Sequence, residues 1–283
     1  MSPAITVLGS VNLDFVATAA RLPAPGQTVA GAVLARHPGG KGANQALAAR
    51  RLGADVRLVA RVGRDALAEE ALALLRAEGV DLSGVQVDTA APTGVALIAV
   101  DGGGENQIVV ASGANAAFAP EHLSSPLDGA LICQLELPVP TVERAVAEAR
   151  SFVCVNLAPA EDVSDALLRR ADLLVANEAE AAVYGARLRQ GPGLVAVTLG
   201  ARGARLFRGD ALLAEIEPPR VMVVDATGAG DAFVAALTIA CLEHRPPLEA
   251  LHFACAAGAL ATTRAGAQPS LPTRAAVEAL AAA

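Results

Sequence analysis

Aromatic side chains are scarce in this sequence, at 2% with no tryptophan, and lysine is scarcer still: of 22 Lys+Arg, Lys41 alone is lysine. The hydrophobic fraction is 53% and the mean hydropathy +0.45, yet no apolar run is long enough to cross a bilayer. The stretch Ala232 to Leu242 is bounded by Asp231 and Glu243, well short of the roughly 20 residues a span requires. No basic region precedes the apolar Ile5 to Leu8 run, so a secretory leader is not expected and a cytoplasmic location is. The four cysteines (Cys133, Cys154, Cys241, Cys255) show no C-x-x-C spacing. They are expected to be buried reduced thiols rather than disulfides or a zinc site. His37, His122, His244 and His252 form no ligand pair at helical spacing. With a net charge of −7 and no basic cluster, a nucleic-acid surface is not expected. A polyanion would have to be bound locally, by backbone N–H groups, helix N-termini and a metal ion.

What is present is an alternation of β-branched runs with alanine-rich amphipathic segments, the pattern of a parallel sheet covered by helices in one α/β domain over residues 1–283. Strands are expected at Ile5 to Leu8, Val56 to Ala60, Ala130 to Cys133, Phe152 to Val155, Leu173 to Val175 and Leu194 to Thr198. Helices are expected at Lys41 to Leu52, Ala66 to Glu78, Val139 to Arg150, Val163 to Arg169 and Glu178 to Tyr184. Two stretches, at about residues 11–37 and 91–111, break the rhythm. Thr28 to Ala35, Gly94 to Val100 and Gln107 to Ala111 read as a small antiparallel sheet, the last two joined by the turn Asp101-Gly102-Gly103-Gly104. Such a sheet is either a lid or a decorated sheet edge. From Gly228 onward the chain reads as mostly helical.

The strongest constellation is Val223-Val224-Asp225-Ala226-Thr227-Gly228-Ala229-Gly230-Asp231, read as a β run, a loop of small residues and a helix start. Gly228 to Gly230 lets backbone N–H groups converge on an anion with help from the helix dipole. Asp231 in the first turn could accept a hydroxyl proton there, its pKa expected to stay low beside the helix terminus. In the plainer reading Thr227 is a helix cap and Asp231 complements the dipole. That accounts for one polar residue, not for two glycines and two aspartates. Lys41 lies in Gly39-Gly40-Lys41-Gly42, where a compact ammonium and a forked guanidinium are not interchangeable, and a functional lysine is favoured over chance. Asn12 and Asp14, two apart on an extended segment, point to one side. With Asn44 one turn after Lys41 they offer the donors and acceptors that vicinal hydroxyls need.

Together these segments resemble the PfkB carbohydrate kinase family and, within it, the ribokinase group. Gly39-Gly40-Lys41-Gly42-Ala43-Asn44-Gln45-Ala46 is similar to the family's first signature and Asp225 to Asp231 to its second, and the likeness runs from about Ile5 to Pro272. The resemblance implies a ribokinase-like three-layer αβα domain with a mostly parallel central sheet and a small β-sheet lid that also pairs two subunits into a homodimer. It implies transfer of the γ-phosphate of ATP to the 5-hydroxyl of D-ribose. Asn12, Asp14, Gly39, Gly40, Lys41, Asn44 and Glu136 would bind the sugar. Asp231 would be the base, with Gly228, Ala229 and Gly230 forming the anion hole. Asn177 and Glu180 would act on Mg2+ and phosphate largely through water. Thr198, Gly200, Gly203 and Cys255 would lie along the nucleotide. Asp225, Thr227, Ala261, Arg264, Gly266 and Ser270 would hold a monovalent cation, K+.

The chain departs from that pattern in three places. The stretch between Tyr184 and Leu194 is shorter than the helix-bearing segment of typical ribokinases. Asn156-Leu157-Ala158-Pro159 stands for Asn-Pro-Ala-Pro, and Cys255 for a histidine found near adenine in some members. Other sugars (deoxyribose, fructose, a sugar acid) are the near alternatives. A nucleoside is disfavoured because Phe15 is the only aromatic residue before Phe118. A catalytically idle sugar sensor would not need Asp231, and an NAD-dependent enzyme would need a G-x-G-x-x-G after the first strand, which is not there.

Overall fold

The computed structural model describes residues 2–124 and 127–282. Its first half runs β1 (Ala4–Leu8), β2 (Asn12–Thr18), β3 (Val33–Gly39), α1 (Lys41–Arg51), β4 (Asp55–Gly63), α2 (Ala66–Ala77), β5 (Asp81–Asp88), β6 (Gly94–Val100) and β7 (Asn106–Ala111). The middle continues through β8 (Ala130–Gln134), α3 (Val139–Glu148), β9 (Val153–Asn156), α4 (Asp165–Arg170), β10 (Leu173–Asn177), α5 (Glu178–Tyr184), β11 (Leu194–Thr198), β12 (Ala204–Arg208) and β13 (Ala211–Ile216). Four helices close the chain: α6 (Ala229–Leu242), α7 (Pro247–Ala261), α8 (Ala267–Ser270) and α9 (Arg274–Ala281).

Nine strands form one sheet in the order β13-β12-β11-β10-β9-β8-β1-β4-β5. All pairs are parallel except β11/β12 and β12/β13. Its central strands are continuous apolar runs because both faces are covered, and alternate residues go to different cores. On β8, Ala130 and Ile132 join the core with α1, α6 and α7, while Leu131 and Cys133 join the core with α3 and α4. On β10, Leu173 and Val175 go to the first core and Leu174 and Ala176 to the second. The result is a three-layer αβα domain. The high hydropathy resides in α6 and α7, whose alanines are buried on nearly every side, α6 packing against both α1 and α7. No helix among the described residues is long and apolar enough to cross a membrane. All four cysteines are free, and Cys133, Cys154 and Cys255 are buried.

A second sheet stands apart, in the order β3-β2-β6-β7. It is mixed rather than antiparallel: β2 pairs β6 in parallel, residue for residue from Asn12↔Gly94 to Thr18↔Val100. The strand expected over Thr28 to Ala35 begins later, at Val33, and runs to Gly39. It continues past Ala35 because β2 supplies a partner for every residue from Val33 to Gly39. A second correction concerns Val223-Val224. This β-branched run is irregular and exposed. The Val224 and Asp225 amides donate to the Thr262 carbonyl at 2.8 and 3.1 Å instead of joining a sheet. In the short Tyr184 to Leu194 connection a 3-10 turn, Gly185–Arg189, and four further residues lead into β11.

Candidate active site

The C-terminal ends of β1, β8, β9 and β10 open on one side of the sheet, the usual place for a ligand in an open α/β fold. Two helices begin there after glycine-rich loops. The α1 start is closed by distant residues. Gly40 sits at φ 87°, and a Cβ on it would meet the Asn12 amide nitrogen and the Ser10 carbonyl oxygen at 2.8 Å. This is a conformation and a contact open to glycine alone. A Cβ on Gly42 would lie 2.4 Å from the Gly9 carbonyl carbon, so the loop after β1 rests directly on the helix. The helix has no side-chain cap of its own at Gly40. Instead the Lys41 amide donates to Glu136 Oε2 at 3.1 Å, the Gly42 amide to Ser10 Oγ at 3.3 Å and the Ala43 amide to the Ser10 carbonyl at 2.9 Å. The Ser10 hydroxyl in turn donates to Glu136 Oε2 at 2.5 Å. Lys41 Nζ lies 3.6 Å from Glu136 Oε1.

The α6 start is open. Gly228 is left-handed at φ 81° and no side chain caps the helix. The Ala229 amide turns onto the Ala226 carbonyl at 3.2 Å and Ala232 bonds back to Gly228 at 2.9 Å. Among the described residues the Gly230 and Asp231 amides make no such bond, so two donors remain at the positive end of a 14-residue helix. The Asp231 side chain is buried against α1: Asn44 Nδ2 donates to Oδ2 and Gln45 Nε2 to Oδ1, both at 2.9 Å.

Burial pushes the Asp231 pKa above the ordinary carboxylate value, against the pull of Lys41, Asn44 and Gln45. This corrects the expectation of a low value beside the helix terminus, because loss of water outweighs the dipole. Burial also opposes the Lys41 charge, but Asp231, Glu136 and Glu180 outweigh it and the ammonium is held above its usual range. Asp14 is pushed up to about 7 by burial and by Glu136, with Lys41 opposing. Four carboxylates, Asp14, Glu136, Glu180 and Asp231, thus share one ammonium.

Asn12 is buried, and its Oδ1 accepts from Asn115 Nδ2 at 2.8 Å. The Gly39 backbone lies against the Asp14 carboxylate, where a Cβ would come within 2.3 Å. Asn44 Oδ1 is buried without a partner, an acceptor waiting for a donor. The structure therefore brings Asn12, Asp14, Gly39, Gly40, Lys41, Asn44, Glu136 and Asp231 around one cleft.

The other expected residues fall into separate groups. Asn177 and Glu180 bond each other's amides reciprocally at 2.8 Å at the start of α5. Thr198 ends β11, and the Leu199 amide closes the following turn on the Gly203 carbonyl at 2.7 Å, with Gly200 and Gly203 both at positive φ. Cys255 lies buried on α7. Asp225 Oδ1 accepts from the Thr227 amide (2.9 Å) and hydroxyl (2.6 Å), and Oδ2 from the Gly266 amide (2.8 Å). Burial works against the Asp225 charge, but these donors outweigh it and hold its pKa below the ordinary value. Ala261 ends α7, the Ser270 hydroxyl turns onto the Ala267 carbonyl at 2.8 Å, and Arg264 is exposed. Sequence reasoning missed Ser10, Asn115, Gln45, Gln134 and Asn156. Gln45 carried a signal in its place inside the glycine signature, and Asn156 in heading the Asn156-Leu157-Ala158-Pro159 run.

A buried carboxylate beside free helix-terminal amides, facing an ammonium and several amide and carboxylate acceptors, defines a kinase acting on a polyhydroxyl substrate. The chain belongs to the pfkB family of carbohydrate kinases, whose model matches residues 2–274. It is 36% identical over 303 residues to a ribokinase of Haemophilus influenzae, covering 97% of each chain, and 36% identical over 292 residues to a ribokinase of Bacillus subtilis, covering 98% of each. Its structure is similar to that of ribokinase from Thermotoga maritima, with TM-score 0.90 and 31% identity over 99% of this chain and 100% of that one. It is also similar to Arabidopsis thaliana ribokinase complexed with ribose and ATP, with TM-score 0.87 and 31% identity over 99% of both.

Proposed function

We propose that the protein transfers the γ-phosphate of ATP to the 5-hydroxyl of D-ribose, giving ribose 5-phosphate and ADP. The observation that carries the mechanism is Asp231, a buried carboxylate in the first turn of α6, next to the two uncommitted amides. The relatives named ribokinase, at 36% identity over nearly the whole chain, support the choice of sugar.

In this reading Asn12, Asp14, Asn44 and Glu136 hold the ribose hydroxyls, with Gly39 and Gly40 letting the backbone approach. The orphan acceptor of Asn44 takes a hydroxyl hydrogen. As the 5-hydroxyl oxygen forms its bond to the γ-phosphorus, Asp231 takes the proton, and the bond from the γ-phosphorus to the bridging oxygen breaks with its electron pair leaving on ADP. A weak base suffices, because a loose phosphoryl-transfer transition state gives up the proton late. The amides at Gly228, Ala229, Gly230 and Asp231 and the Lys41 ammonium stabilise the charge on the transferring group. Since the Ala229 amide is already turned onto Ala226, Gly230 and Asp231 are the principal donors.

Asn177, Thr198, Gly200, Gly203 and Cys255 would border the nucleotide. Among the described residues no group of three or more His, Cys, Asp or Glu forms a metal cage. Mg2+ would therefore be held by phosphate oxygens and water, with Glu180 nearby, as suits a small and strongly hydrated cation. The Asp225 carboxylate, kept charged by its donors, would hold K+ together with Thr227, Ala261, Arg264, Gly266 and Ser270. The β3-β2-β6-β7 sheet would act as a lid that excludes water and as a homodimer contact. Its exposed Val33, Leu34, Leu97, Ile108, Val109 and Val110 support that use.

The test is a coupled ADP-release assay over a panel of pentoses, hexoses, sugar acids and nucleosides, with potassium and sodium compared. Ribose with potassium should give the highest kcat/KM. A higher value for another sugar would reassign the substrate.

A further inference from the structure

The two residues that hold Asp231 differ in what else they do. Asn44 keeps a free acceptor for a ligand, whereas every polar atom of Gln45 is spent inside the protein. Gln45 Nε2 donates one hydrogen to Asp231 Oδ1 at 2.9 Å and the other to Asn156 Oδ1 at 3.1 Å, and its Oε1 accepts from Gln134 Nε2 at 2.6 Å. Asn156 Nδ2 donates to the Val175 carbonyl at 3.2 Å. A backbone carbonyl can only accept, so it fixes which way Asn156 faces. That turns Asn156 Oδ1 toward Gln45, and two acceptors then fix which way Gln45 faces. A flipped Gln45 would set its carbonyl oxygen against two other oxygens. Gln45 and Gln134 are 0% exposed and Asn156 and Asp231 8%, so water does not readily replace a lost partner, and a buried group left unpaired is costly.

We propose that Gln45 is the positioning residue of Asp231: a buried amide chain from the Val175 carbonyl through Asn156 to Gln45 aims an N–H at Asp231 Oδ1 and holds the carboxylate oriented and ionised for the proton it receives. This rests on Asp231 being the base. The charged groups facing Asp231 are Lys41 from α1, Glu136 from the segment after β8 and Asp14 from β2. Two of the three oppose its ionisation, and burial opposes it further. A neutral donor favours the carboxylate without adding a cation that would pair with the base and weaken it. Gln45 supplies that donor, and the chain behind it prevents the amide from presenting its oxygen instead.

The experiment measures kcat against pH at saturating ribose and ATP for the full chain and three variants. In Gln45→Met, which keeps length and removes the donor, the acid limb should move up by about one pH unit or more. Its kcat at pH 7 should fall about tenfold or more, while the ribose KM stays within about threefold. Asn156→Ala should move the limb in the same direction by less. An acid limb that stays in place in Gln45→Met, or a loss that falls on KM instead of kcat, overturns the proposal. If Gln45→Met does not fold, an unmoved limb in Asn156→Ala overturns it. Asp231→Asn separates the two readings: if it keeps substantial turnover, Asp231 is not the base. If it is silent while Gln45→Met keeps its acid limb, only the positioning role fails.

Discussion

The two helix starts that meet at the Asp231 carboxylate look alike in sequence, each a run of glycines leading into an alanine-rich helix, yet they differ in which amides are left free. At α1 the amides of Lys41, Gly42 and Ala43 are all taken, by Glu136 and Ser10. At α6 the amides of Gly230 and Asp231 are left over. A helix N-terminus attracts an anion only while its donors are unpaired, so the first start is a scaffold that holds side chains and the second is where a phosphate can settle. The protein carries net charge −7, and no general positive field brings a polyanion to it. In the proposed reading, two free amides and one ammonium do the local work.

The sharpest way to break this contrast is at Gly230. A Cβ there meets nothing within 4 Å, so Gly230→Ala should leave kcat nearly unchanged. Gly230→Pro lies in the first helical turn, where proline is tolerated, and removes the amide hydrogen. Loss of one oxyanion-type donor costs about 100- to 1,000-fold in kcat, and that is the expected drop in steady-state assays, with the fold unaltered by circular dichroism. Equal activity in the two variants would show that the open Gly230 amide is not used.

On the α1 side the same logic predicts smaller and different effects. Lys41→Arg keeps the charge but replaces a compact ammonium with a planar fork beside Glu136, and kcat should fall about 10- to 100-fold with little change in stability. Ser10→Ala removes the donor to Glu136 Oε2 and the acceptor for the Gly42 amide. By analogy with lost helix caps it should lower unfolding free energy by about 1 kcal/mol. Its effect on kcat should be smaller than that of Lys41→Arg. A Ser10→Ala variant that keeps its stability in urea titration would remove the scaffold reading of α1.

The sequence showed the two starts but not their difference. The central strands were legible because both faces are buried and the runs are apolar up to their last residue, as in Ala130–Gln134 and Leu173–Asn177. Lys41, Asn44 and Asp231 were legible because small residues and isolated polar groups stand in fixed local patterns. Ser10 and Gln45 were not. Their partners are Glu136 and Asp231, and the latter is 186 residues away from Gln45. Whether a side chain caps a helix or orients a base is decided by packing of α1 on β1 and α6, which local spacing does not encode. The same reason explains Val223-Val224: β-branched residues favour a strand only where a neighbouring strand offers partners, and here the neighbour is the Thr262 carbonyl.

The surplus of carboxylates on the scaffold side gives the last and smallest test. Asp14 is raised from 3.8 to about 7 in the folded protein by burial and Glu136, with Lys41 opposing. A carboxyl whose folded pKa lies above its unfolded value binds more protons folded than unfolded. Its contribution is fully present below about 4 and is lost as pH rises through about 7. Asp14→Asn is neutral at every pH, so it should raise the melting temperature of the empty protein at pH 8 by a few degrees and change it little at pH 4. The gain should come with weakened ribose binding, since the acceptor that burial makes costly is the one a hydroxyl needs. Differential scanning calorimetry at the two pH values reads the first effect and ribose KM the second. A melting temperature that shifts equally at both would mean that Asp14 carries its charge in the folded protein without penalty, and that Lys41 balances more of the negative charge around α1 than Glu136 leaves it free to do.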